Sequence, residues 1–247
     1  MLTVLTPRRP LAARRLAHVA LACLLLLGAF AAPATAASEG FKLDLATRRD
    51  FVAQTNFVQC VGASMQMMLN MIQDEDDRSA ATQLELQRLA RQLSGQRPDG
   101  SERQGASVRG WTAGLNLLGA GPYRLVGATT IDEALSVAAK AMRQTGKPVG
   151  LLMWRGRHAW VMSGFRATGD PLVNGNRVTA VHVEDPLYPY GSSVWGASPA
   201  PGAALTVAEL GRQYVPRRFS SRFGSALSGK YVLVLPYALD RKMLSMI

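Results

Sequence analysis

The chain has 247 residues, 48% of them apolar and 18% charged, the composition of an ordinary globular chain rather than a disordered one. Its net charge of +11 is inflated at one end, because Arg8, Arg9, Arg14 and Arg15 precede every acidic residue, and loss of those four charges leaves +7. That is a moderately basic domain, suited to anionic partners such as acidic peptides or cell-wall polymers. No dense basic stripe interleaved with aromatics runs through it, which argues against nucleic acid.

Residues 1–36 read as a targeting segment and are set apart from the fold. The four arginines form a positive start, Leu16 to Ala32 an apolar run around Cys23, and Ala34-Thr35-Ala36 a small-x-small cleavage site. The expected mature chain, residues 38–247, is secreted or held in the periplasm or cell envelope, with no stable membrane insertion after cleavage. Its apolar run could alternatively serve as an uncleaved anchor. Cys23 departs with the segment, so the mature chain keeps one cysteine, Cys60, and has no internal disulfide to form. A lone thiol in an oxidising compartment is a liability unless it is buried or used.

Phe41-Lys-Leu-Asp-Leu45 reads as a short strand. Val61, Met65, Met68, Leu69 and Ile72 recur at helical spacing, so a helix begins near Cys60 and turns one face into a core. A cysteine in the first turn sits where free amide N–H groups and the helix dipole favour an anion, the standard route to a nucleophilic thiolate. The same pattern also suits a buried cysteine opening a Met-rich core helix. Gln54, six residues earlier, could reach back with its side-chain amide. Thr82 to Leu93 and Val108 to Leu118 read as two more helices. A fourth starts at Thr130, which can cap with Glu133 three residues on, and stops at Gly146.

The texture then changes. Pro148 to Trp154, His158 to Phe165, Val178 to Glu184 and Lys230 to Pro236 read as strands. A connection rich in Pro, Gly and Tyr (Pro186 to Gly202) and a helix from Thr206 to Tyr214 separate the last two. Helices first and strands second is the α+β pattern of segregated layers. With His158 and His182 the only mature histidines, no zinc spacing is present, and neither a metal nor an organic cofactor is expected.

His158 opens a strand after a tight turn, where it could lean over a cleft or simply decorate the turn. In the strand ending at Asp185-Pro186, Val181, Val183 and Asp185 share one face and His182 and Glu184 the other. A carboxylate on the apolar face needs a partner, and the Nδ1–H of His158 on a neighbouring strand is the candidate; Asp-Pro is also a common turn starter. His182 is taken as structural or exposed. Cys60, His158 and Asp185 would make a nucleophile, base and orienter, with Gln54 and the Cys60 amide as an oxyanion hole.

These residues resemble the papain-like cysteine peptidases, in particular the bacteriocin-processing, double-glycine-leader type and its secreted relatives. The resemblance rests on Gln54 standing six residues before Cys60, on His158-Ala-Trp-Val-Met-Ser-Gly-Phe165, and on Asp185-Pro186. It implies an N-terminal helical subdomain carrying Cys60, packed against a C-terminal antiparallel sheet carrying His158 and Asp185, with the cleft between. It also implies a secreted cysteine hydrolase acting on a peptide or protein substrate. Two departures stand out: Val61-Gly62-Ala63 follows the cysteine where a glycine commonly comes first, and a Gly169–Asn176 hairpin is inserted before the Asp strand. An acyltransferase or amidase on cell-wall peptides would use the same acyl-enzyme, and a papain-like binding module without catalysis is the alternative of a different class.

Overall fold

The computed structural model describes residues 40–96, 100–101, 103–218 and 226–238; the expected targeting segment lies outside them. Among these residues the chain is α+β, built on a seven-stranded sheet whose pairs are all antiparallel. In chain order come β1 (Phe41–Asp44), α1 (Cys60–Gln73), α2 (Ala80–Gln92), α3 (Val108–Leu117), β2 (Tyr123–Ala128), α4 (Ile131–Thr145), β3 (Val149–Met153), β4 (His158–Ala167) and β5 (Val178–Glu184). A two-stranded ribbon, β6 (Gly191–Ser192) and β7 (Gly196–Ala197), follows, then β8 (Ala203–Thr206), α5 (Val207–Gly211) and β9 (Tyr231–Pro236). The sheet runs β2-β9-β3-β4-β5-β8, with β1 added beside β4. No helix among the described residues is long and apolar enough to cross a membrane.

Local chemistry sets the helix ends. Ser79, Ser107 and Thr130 cap α2, α3 and α4, each side chain accepting a backbone N–H three residues on, which satisfies an otherwise orphaned donor. Glu133 returns its carboxylate to the Thr129 N–H rather than to Thr130, one residue short of the expected reciprocal box. Gly146, left-handed at φ 64°, ends α4 as its pattern predicts.

Two cores lie on opposite faces of the sheet. On one, Met65 and Met68 of α1, Leu86 of α2 and Trp111 of α3 pack on Ala159, Val161 and Val234. On the other, Leu135 and Met142 of α4 pack on Leu151, Met162, Val181 and Val183. Each such fully buried side chain contributes about 1.5–3 kcal/mol.

This corrects the expectation of helices first and sheet second. β1 and β2 come from the first half of the chain and join the same sheet, and α4 covers the face that α1–α3 leave open. β2 and β8 went unread in the sequence because Tyr123–Ala128 lies between two helices and Ala203–Thr206 is only four residues long and runs straight into α5. α5 is shorter than the expected Thr206–Tyr214. Residues 168–177 form the turn region joining β4 to β5 and add no strands of their own.

Candidate active site

Cys60 is the first residue of α1. The loop before it is held by two glutamines of α2, both buried. Gln83 accepts from the Thr55 N–H at 2.8 Å and donates to the Ala53 carbonyl at 2.9 Å. Gln87 donates to the Val58 carbonyl and accepts from the Gly62 N–H, both at 2.9 Å. α1 and α2 meet here because Gly62 has no side chain: a Cβ would stand 2.7 Å from the Gln83 carbonyl oxygen. In the first turn, Gly62 gives its amide to Gln87 and Ala63 gives its own to the Gln59 carbonyl. The Cys60 amide makes no hydrogen bond among the described residues, as expected of a first-turn N–H.

His158 opens β4 and is 4% exposed. The turn that delivers it carries three consecutive residues at positive φ: Trp154 (55°), Arg155 (56°) and Gly156 (98°). Left-handed backbone at two non-glycine residues is strain that the surroundings must maintain. They do so through Gln213, whose carbonyl accepts the Trp154 N–H at 3.0 Å and whose side chain accepts the indole N–H at 2.8 Å. The indole then stacks on the His158 ring, with centroids 4.1 Å apart, favourable for an imidazolium.

Asp185 is fully buried, and its Oδ1 lies 2.7 Å from His158 Nε2. The same oxygen accepts the Leu187 N–H at 2.9 Å, so Asp185 starts the Asp-Pro turn and holds the histidine at once. The expected contact through Nδ1 is corrected: Nε2 takes the carboxylate, and Cys60, which lines the same cavity as the ring, lies close enough to raise its pKa as well. Burial disfavours the charged imidazole, but the bond to Asp185 and then the Cys60 contact outweigh it and push the His158 pKa up to about 9. The ring is therefore an imidazolium at neutral pH, beside a thiol at a helix N-terminus, the surroundings in which thiolates are found.

Val181, Val183 and Asp185 share a face, as strand alternation predicts; α4 covers it, while α1 packs on the other through Ala159 and Val161. His158 and Asp185 meet because both lie on the α4 face, at the end of the sheet where α1 begins. Gln54 is brought close to the same strand end, its N–H donating to the Pro186 carbonyl at 2.7 Å. Its side-chain amide donates to the Asn56 carbonyl at 2.8 Å, leaving one N–H over, and its Oε1 is buried without a partner. The structure thus joins Cys60, His158 and Asp185 in one chain of contacts, and ties Gln54 to that chain through its backbone.

His182 and Glu184, on the other face of β5, are buried rather than exposed. His182 Nδ1 stands 3.4 Å from Asp44 Oδ2, across Gly164 on β4. A Cβ at Gly164 would lie 2.5 Å from the Leu43 carbonyl oxygen and 2.9 Å from Asp44 Cα. Glu184 accepts from the Ser163 hydroxyl and the Gly202 N–H, each at 3.1 Å, and burial pushes its pKa up to about 7. Among the described residues, no group of three or more His, Cys, Asp or Glu side chains is placed to hold a metal ion.

The residues that the sequence reading missed are the positioning ones: Gln83, Gln87, Trp154 and Gln213. Gln83 and Gln87 stand four apart on the otherwise apolar face of α2, a spacing that could have marked them as partners for a neighbouring backbone. Comparisons with protein-family models, with curated proteins and with solved structures find no match.

Proposed function

We propose that this chain is an exported cysteine hydrolase of papain-like type, acting on peptide bonds. The observation that carries the reading is the contact chain from the Cys60 thiol through the His158 ring to the buried Asp185 carboxylate. In this mechanism the Cys60 thiolate attacks the scissile carbonyl carbon. The Cys60 N–H and the spare N–H of Gln54 stabilise the oxyanion. The C–N bond breaks as the His158 imidazolium gives its proton to the leaving amine, and a thioester remains on Cys60. His158, now neutral, takes a proton from water. The water oxygen attacks the thioester, the acid leaves, and the thiolate–imidazolium pair returns. Asp185 and the Trp154 stack hold the ring through both halves of the cycle.

Two measurements test this. Iodoacetamide should alkylate Cys60 rapidly at neutral pH, and the mature protein, but not its Cys60→Ser variant, should hydrolyse members of a peptide library. A thiol inert at neutral pH together with no hydrolysis would leave a binding module as the reading. Export rests on the expected segment at residues 1–36, and N-terminal sequencing of exported protein that returned Met1 would overturn it.

A further inference from the structure

The loop that leads into Cys60 turns an apolar ring out to solvent. Phe57 is 82% exposed, more than any other large apolar residue among the described ones, and Val58 beside it is 40% exposed. Phe57 belongs to neither core. A single apolar side chain on a surface is ordinary; what sets this one apart is that its loop is held. Besides the bonds from Gln83 and Gln87, the Gln54 side chain donates to the Asn56 carbonyl at 2.8 Å, and Asn56 Oδ1 accepts the Val58 N–H at 3.0 Å. The Gln59 N–H returns to the Asn56 carbonyl at 3.3 Å, and the Thr55 hydroxyl donates to the buried Gln59 side chain. None of these bonds uses the Phe57 side chain, so the backbone is ordered independently of the ring it presents. Phe57 stands three residues from Gln54 and three from Cys60, which keeps its Cα within roughly 11 Å of each. A ring held in place beforehand loses little freedom on contact with a ligand, and covering it releases the water that hydrates it.

We propose that Phe57, flanked by Val58, is a specificity-determining residue of this site and receives an uncharged aliphatic or aromatic side chain of the peptide substrate close to the scissile bond. The inference rests on reading Cys60 as the nucleophile. The substrate is the occupant that fits, because the ring is presented by the segment that joins Gln54 to Cys60. An extended peptide advances about 3.3 Å per residue, so a chain with its reacting carbonyl at Cys60 comes level with Phe57 within about three residues of the bond.

The test uses library peptides in which leucine or serine stands at each of the three positions on either side of the cleaved bond. At one of these positions the wild type should prefer leucine by about tenfold in kcat/KM. Phe57→Ser should remove that preference at that position alone, through KM with little change in kcat, and Phe57→Leu should retain most of it. Leu172→Ser replaces another exposed apolar residue, in the turn at the far end of β4, and should leave the preference intact. Iodoacetamide has no side chain to present, so it should alkylate Cys60 of Phe57→Ser at the wild-type rate. Hydrolysis with no leucine preference, or with one that survives Phe57→Ser, would overturn this inference while leaving Cys60 a nucleophile. A Phe57→Ser variant slowed toward iodoacetamide, and toward leucine and serine peptides alike, would make the ring a structural part of the loop and overturn it as well. A library left wholly uncleaved would overturn the hydrolase reading and this inference with it.

Discussion

Replacing Asp185 by Asn removes the negative charge 2.7 Å from His158 Nε2 and keeps an acceptor of the same shape. With the His158 pKa at about 9 against an ordinary 6.5, the imidazolium is favoured by roughly 3 kcal/mol, at about 1.4 kcal/mol per pH unit. The Asp185 bond is the largest of the contributions that raise it, and a hydrogen bond to a charged group contributes roughly 1.5–3 kcal/mol. Its loss should lower the His158 pKa by about one to two units, with burial then opposed by Cys60 alone. The assays are ring NMR titration of His158 and iodoacetamide alkylation of Cys60 across pH. In the wild type the charged ring should persist up to about pH 9; in the Asp185→Asn variant the upper limit should move toward neutrality, and peptide turnover should fall on the order of a hundredfold or more. Stability carries the same signature. A histidine whose pKa is raised on folding contributes stability that is complete below its unfolded value and is lost as pH rises through the folded value. The wild type should therefore weaken between about pH 6.5 and 9, and the variant much less. An unshifted His158 titration with unchanged turnover would refute the argument that Asp185 holds this ring charged.

Gln54→Ala should lower the catalytic rate by on the order of a hundredfold with little change in KM, because one oxyanion donor is lost; an unchanged rate in steady-state hydrolysis would remove Gln54 from the site. Gly164→Ala pushes a methyl group against the backbone of β1 and should destabilise by about 1–3 kcal/mol in urea unfolding; a loss under ~0.5 kcal/mol, the size of an ordinary surface substitution, would show that the close approach is slack. For Glu184, raised from 4.5 to about 7, the folded state resists ionisation, so stability is complete below about pH 4.5 and falls as pH rises through 7, by about 3 kcal/mol. Glu184→Gln should abolish that decline and leave turnover unchanged, and equal unfolding profiles at pH 5 and 8 for both proteins would contradict it.

Much of the site was legible because it depends on short-range rules. Helical spacing put Cys60 in a first turn, and strand alternation separated Asp185 from Glu184, whatever lay beyond each element. What the sequence hid depends on long-range pairing. Nothing in Tyr123–Ala128 announces that it will pair with β9, more than a hundred residues on. Which sheet face receives α1 is decided by both cores together, and no single strand's pattern names it. The choice of Nε2 over Nδ1 likewise depends on where α1 begins relative to the end of β4. Gln83 and Gln87 look like ordinary polar residues of an amphipathic helix until the 53–58 loop is laid against them.

A single extra residue in β4 connects these levels. Met162 pairs with Val183 and Gly164 with His182, so Ser163 is a bulge. Before it, His158, Trp160 and Met162 point to the α4 face; after it, Phe165 and Ala167 do, with the parity reset. Without the bulge, one half of the strand would turn its apolar residues out of that core. The extra residue therefore lets one strand satisfy a core at its far end and still present His158 to Asp185 at its near end. The Ser163 hydroxyl then bonds to Glu184, and Gly164 falls on the rung between Asp44 and His182, the one position where any side chain would part them. Bulges gather where a strand must re-aim a side chain beside a site. Here the bulge keeps two adjacent carboxylates distinct: Asp185 sits on His158, and Glu184 lies buried on the opposite face with its pKa raised to about 7.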